Sequence, residues 1–209
     1  ASGPTPGFRV DSVYLPASEV GGGFFFVSPA PDGSLTAIVG DVSGKGLTAA
    51  MRVAMILGAL RRETAHDPGK ILEGLNNVLI AQGQLGFTTA CCICIALSGE
   101  FTLANAGHIA PYLSGRELDT PPALPLGLVP DQAYELVRGR LRTSDRLVLL
   151  SDGVPEARSA SGELYGFERL PSLTLRPAQE IADTAQLFGQ EDDITVLTLT
   201  FAIIEPPYA

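Results

Sequence analysis

"PDGSLTAIVGDVSGKGLTAAM", residues 31–51, changes character twice within 21 residues. Pro31-Asp32-Gly33 is turn chemistry, and the apolar run Leu35–Gly40 after it reads as a strand. A glycine-rich turn then presents Asp41, and from Leu47 the apolar residues recur at helical spacing. A carboxylate thus stands where a buried strand ends and a helix begins. Upstream, "GFFFV" (23–27) completes a hairpin with the strand, so the sheet here is antiparallel.

The pattern recurs outward from this stretch. "FTTACCICIALSGEFTLANAG" (87–107) is a second hairpin turning at Ser98-Gly99, and "PYLSGRELD" (111–119) a third around Ser114-Gly115. "YELVRGRL" alternates like a half-exposed strand, "DRLVLLSDG" is a buried strand ending in a turn, and "DDITVLTLTFAII" is the last strand. Helices are expected from Leu47, with Leu47, Ala50, Met51, Ala54, Met55 and Leu60 as the core stripe, and over Ile71, Leu75, Val78 and Leu79. "RPAQEIADTAQLFG" supplies one short helix. Strands in hairpin pairs with helices in blocks between them give an α+β fold, not an alternating βαβ one.

Composition narrows the function. The chain has 209 residues, 45% hydrophobic and 18% charged, which suits one globular domain with a sizeable core. Its net charge of −9 argues against nucleic acid or an anionic membrane as partner and leaves carboxylates for cations. Cys91, Cys92 and Cys94 share one apolar run, which reads as strand core in a reducing, cytoplasmic setting. No apolar run reaches the roughly 20 residues of a membrane span. The chain opens on Ala1 rather than methionine, which reads as a domain excised from a longer protein, with 1–7 a linker or cloning scar, 8–203 the domain and 204–209 a tail.

Three aspartates occupy like settings. Asp41 follows "LTAIVG", Asp152 follows "DRLVLLS", and Asp192 precedes "ITVLTLT". If these strand ends converge they form an oxygen-only site suited to Mg²⁺ or Mn²⁺. Taken singly, each is equally a turn residue. "GDVSGKG" is not a phosphate-binding P-loop, since three residues rather than four separate Gly40 from Gly44, and it lacks the first glycine of a nucleophile elbow. His66 reads as a solvent-facing helix-end residue, and His108 has no carboxylate or cysteine at a motif spacing.

In order, "EVGG", "PDGSLTAIVGDVSGKGLTAAM", "NAGHIAPYL", "LPLG", "RLVLLSDGVPEARSASGELYGFERL" and "EDDITVLTL" resemble bacterial phosphatase domains of the stage II sporulation protein E (SpoIIE) type, within the PPM metal-dependent serine/threonine phosphatases. The resemblance runs from about Phe8 to Phe201. It implies two stacked antiparallel β-sheets flanked by helices, an αββα sandwich, with the metal centre at one sheet edge. It also implies two Mn²⁺ or Mg²⁺ ions, bridged by Asp41, with the Val42 carbonyl, Asp152 and Asp192 as further ligands and Asp193 a neighbour. Asn105, Gly107 and His108 match a motif read as a structural turn. The implied substrate is a phosphorylated regulatory protein such as an anti-sigma-factor antagonist, downstream of a sensor domain.

Two departures stand out. The resemblance calls for Asp at position 23 and a polar or acidic residue at 26, where this chain has Gly23 and Phe26. Between "YGFERL" and "EDDIT" there is room for one good helix where the relatives carry two. The expected function is phosphoserine or phosphothreonine hydrolysis, attenuated by Gly23; the competing reading is a pseudophosphatase that binds a phosphoprotein or partner.

Overall fold

Strand β4 (Leu35–Val42), the run that ends in Asp41 and Val42, pairs antiparallel with β3 (Gly23–Pro29) and, on its other side, with β5 (Thr88–Ile95). Gly33 closes the β3–β4 turn at φ +81°, the left-handed region that favours glycine. Strands β6 (Glu100–Ala106) and β9 (Val137–Arg140) complete a five-stranded sheet ordered β3-β4-β5-β6-β9. A second sheet is ordered β1-β2-β11-β10-β7-β8, from Gly3–Thr5, Phe8–Leu15, Ile194–Phe201, Arg146–Leu150, Tyr112–Leu113 and Arg116–Glu117 respectively. This computed structural model describes residues 3–5, 7–17, 21–83 and 86–202. Glu19 and Val20 of the "EVGG" motif and the tail 204–209 lie outside them.

Period-2 alternation sorts the strands' side chains into layers. Leu35, Ala37 and Val39 of β4 and Cys91, Ile93 and Ile95 of β5 face Leu147, Leu149, Leu197 and Leu199 of the other sheet, forming the inter-sheet core. The alternate residues, among them Ile38, Cys92 and Ala104, pack under helices α1 (Leu47–Leu60) and α2 (Pro68–Ala81). On the far side, Val148, Leu150, Ile194 and Val196 pack beneath α3 (Leu170–Leu173) and α4 (Ala178–Gly189). The expected αββα layering, the three hairpins and the one helix expected within residues 176–189 are all present. The three cysteines are free and buried, and burial raises the Cys91 thiol to about 12. Among the described residues no helix is long and apolar enough to cross a membrane.

The structure corrects the core stripe of α1. Leu47 and Met51 are 74% and 65% exposed, and Ala54 is exposed too, whereas Ala49, Arg52, Ile56 and Leu60 are the buried residues. Arg52 disguised that face in the sequence. Its guanidinium is buried because one nitrogen donates to the Gly86 carbonyl at 3.1 Å, while its aliphatic stem lies within the protein. Ile56→Ala is therefore expected to cost about 2–5 kcal/mol, and Met51→Ala no more than about 0.5 kcal/mol, by urea denaturation. Equal losses would overturn the buried-face assignment.

Candidate active site

The inter-sheet layer is hydrocarbon along most of its length and oxygen at one end. On β11 the inward positions run Leu199, Leu197, Thr195 and then Asp193; on β4 they run Leu35, Ala37, Val39 and Asp41; on β5, Ile95, Ile93, Cys91 and Thr89. Ser151 follows Leu147 and Leu149 in the same way and ties the floor together. Its hydroxyl donates to the Asp193 carbonyl at 2.8 Å and accepts from the Thr195 amide at 2.9 Å.

At this end Asp41, Asp152, Asp192 and Asp193 line one cavity of about 200 Å³, with Val42, Ser43, Gly44, Lys45, Thr89 and the Gly21–Gly22 turn. The three aspartates picked from sequence therefore do converge. They do so at the ends of strands, at one end of the layer between the sheets. A larger hollow, about 510 Å³, lies on the outer face of the five-stranded sheet beside Cys94 and Arg138, but gathers no comparable cluster.

Electrostatics register the convergence. Burial, then the charges of Asp152, Asp192 and Asp193, push the Asp41 carboxyl up to about 7, with Lys45 acting in the opposite sense. Asp152 is raised as well, first by burial and then by Glu156 and Asp192. Lys45 is the one cation among the described lining residues; its Nζ lies 4.0 Å from Asp192 Oδ1, and both side chains are substantially exposed. A single screened lysine does not balance four carboxylates. An all-oxygen donor set with excess negative charge is the chemistry of a hard-cation site. Among the described residues, however, no three His, Cys, Asp or Glu side chains are grouped closely enough to hold one ion as they stand. Mutual repulsion of the carboxylates favours such an open arrangement.

Asp193 has a role the sequence did not reveal. It is buried, and its carboxylate accepts from the Gly23 amide (3.1 Å), the Tyr14 hydroxyl (3.2 Å) and the Ala17 amide (2.9 Å), clasping the segment between β2 and β3. Burial and Asp193 together raise the Tyr14 hydroxyl above its ordinary range. Gly23 sits directly opposite Asp41 in the β3–β4 register. A Cβ there would stand 2.9 Å from Thr195 Oγ1, 3.1 Å from the Tyr14 ring and 3.3 Å from Asp193 Cβ. Tyr14 and Thr195 thus fill the space beside the glycine, and Thr195 Oγ1 is buried without a hydrogen-bond partner.

Asn105 and His108 do form a turn, with the His108 amide donating to Asn105 Oδ1 at 2.8 Å and Asn105 Nδ2 to the His108 carbonyl at 2.9 Å. His66 is exposed in the loop between α1 and α2. Thr89, Ser151 and Thr195 were missed. Their signal was available: each is the polar residue that ends an inward-facing apolar series.

A two-sheet sandwich flanked by helices is the fold of PP2C phosphatase domains such as that of SpoIIE from Bacillus subtilis, on which the chain superposes with a TM-score of 0.73 at 17% identity, covering 95% of this chain and 65% of that one. The sequence profile of the stage II sporulation protein E (SpoIIE) family matches residues 31–202, and the chain belongs to that family. It is 28% identical to the phosphoserine phosphatase RsbU of Bacillus subtilis over 91% of this chain and 62% of RsbU. It superposes on the RsbU and RsbW domains of Rv1364c from Mycobacterium tuberculosis with a TM-score of 0.81 at 26% identity, covering 98% of this chain and 62% of that one. RsbX, solved in complex with magnesium, shares the fold at a TM-score of 0.76 and 17% identity, over 97% and 99% of the two chains. The chain thus spans less than two thirds of the length of RsbU.

Two outcomes follow from the site. Because the folded state raises the Asp41 pKa from 3.8 to about 7, this carboxyl holds more proton in the folded than in the unfolded chain across that window. Metal-free stability is therefore expected to fall as pH rises from about 4 to about 7, and Asp41→Asn to flatten that slope. A chelator-treated Tm series reads this, and a pH-independent Tm would refute it. Gly23→Asp, which adds a carboxylate to a crowded anionic site, is expected to lower the metal-free stability by about 1–3 kcal/mol and to recover more than the parent chain does on adding Mn²⁺.

Proposed function

We propose that this domain hydrolyses phosphoserine or phosphothreonine monoesters on a bacterial regulatory protein, such as an anti-sigma-factor antagonist. The observation that carries the reading is the convergence of Asp41, Asp152 and Asp192 on one cavity. Asp41, the Val42 carbonyl, Asp152 and Asp192 would hold Mn²⁺ or Mg²⁺. Bound there, the ions would neutralise phosphoryl charge and acidify a water. The chain itself supplies a rigid base: Asp41 and Asp152 stand at the ends of buried strands and Asp192 immediately precedes one, so binding an ion would draw the carboxylates together by side-chain rotation on a fixed backbone.

Cavity size supports a protein-borne phosphate. About 200 Å³ is below the 300–1,000 Å³ typical of sites that engulf a small molecule, yet it accommodates a phosphoryl group presented on a loop. Lys45, exposed at the rim, offers positive charge to an arriving phosphate. The resemblance to a phosphoserine phosphatase points the same way.

A second reading, a partner-binding pseudophosphatase, draws on Gly23 and on the open spacing of the carboxylates. Mn²⁺-dependent hydrolysis of an aryl phosphate separates the two. Turnover that disappears in Asp41→Asn, together with Mn²⁺ binding that drops at least tenfold, is the expected result. A flat Mn²⁺ titration with no turnover would decide for the binding module.

A further inference from the structure

His108 does more than close a turn. Its ring is buried and its Nδ1 lies 2.9 Å from Thr89 Oγ1. Thr89 is directly opposite Asp41 in the β4–β5 register, so the two side chains stand on the same face, and Thr89 lines the acidic cavity. The imidazole thus lies behind the cavity wall, one hydroxyl away from it.

The Leu150 carbonyl, two residues before Asp152, lies near enough to favour the ring's protonated form, although burial dominates and pushes the imidazole down to about 4. His108 is therefore neutral at physiological pH and carries one N–H. With Nδ1 on Thr89, Nε2 is the ring atom left for that carbonyl; it is buried and makes no hydrogen bond of good geometry. The tautomer with its proton on Nε2 makes Nδ1 an acceptor. In that tautomer the Thr89 hydroxyl donates to Nδ1, and only its oxygen lone pairs are left for the cavity.

We infer that His108 is a positioning residue that acts through Thr89: it fixes the hydroxyl so that Oγ1 accepts a hydrogen bond from the water that attacks the phosphoryl group. This rests on the phosphatase reading above. A water donating one proton to Thr89 Oγ1 is oriented beside Asp41. A freely rotating hydroxyl would offer donor and acceptor alternately and orient nothing.

The test is a steady-state comparison on the whole chain with Mn²⁺ and an aryl phosphate. Thr89→Val, which keeps shape and removes the oxygen, is expected to lower kcat about tenfold or more, with KM, Mn²⁺ affinity and Tm little changed. Thr89→Ser is expected to restore most of that loss. His108→Phe should lower kcat by a similar factor, and the double variant should lose no more than either single one. A Thr89→Val kcat equal to the parent's, in a chain that Asp41→Asn inactivates, would overturn this inference alone. So would a loss that merely tracks Mn²⁺ affinity or Tm, because a purely structural contact behaves that way. An inactive parent chain would instead overturn the phosphatase reading, and this inference with it.

Discussion

Two sheets packed face to face must fill the space between them, and here most inward positions do so with hydrocarbon until the strands near one end. Water cannot enter the layer of Leu35, Val39, Ile93, Leu149 and Leu197, so the polar groups at its end are presented from a rigid, low-dielectric base. The acidic cavity depends on that backing. Asp41 can be held half-buried against three other carboxylates only because the strand beneath it is fixed by pairing with both β3 and β5.

The glycine at position 23 belongs to the same constraint. A side chain there would enter the inter-sheet layer where Tyr14, Asp193 and Thr195 already meet. Asp193 then uses its carboxylate on backbone amides and a phenol instead of facing the cavity freely. At position 23 the inter-sheet layer is filled by packing of neighbouring side chains rather than by a charge. This leaves the cavity less anionic than a site with aspartate at 23, and correspondingly less attractive to a divalent ion.

Much of this was legible in the residues. Turn chemistry at Pro31–Gly33, Ser98-Gly99 and Ser114-Gly115 placed three hairpins, and strand-end aspartates marked three members of the cavity. Reading failed where a residue's chemistry disagrees with its environment. Arg52 on the buried face of α1 reversed the apparent amphipathicity, because an apolar count cannot credit a buried guanidinium bonded to a carbonyl. Thr89 and Ser151 look like ordinary strand polar residues until their partners are known. Those partners, His108 and Asp193, are 19 and 42 residues away, and local pattern says nothing at such range. The clasp made by Asp193 is longer still, reaching Tyr14 across 179 positions.

That reach has a consequence for how the domain comes into being. β2 finds its neighbour β11 only when Ile194–Phe201 has been synthesised, since Leu15 pairs with Ile194 and Phe8 with Phe201. On the ribosome the five-stranded sheet and its two helices can be complete while β2 still waits, its inward Phe8 and Val10 uncovered. The acidic cavity gains Asp192 and its Asp193 floor in the same final stretch. Such long-range closure slows folding. It also means that a nascent or truncated chain ending before residue 192 carries Asp41 and Asp152 without the rest of the acidic cavity, which is complete only when translation of the domain is all but over.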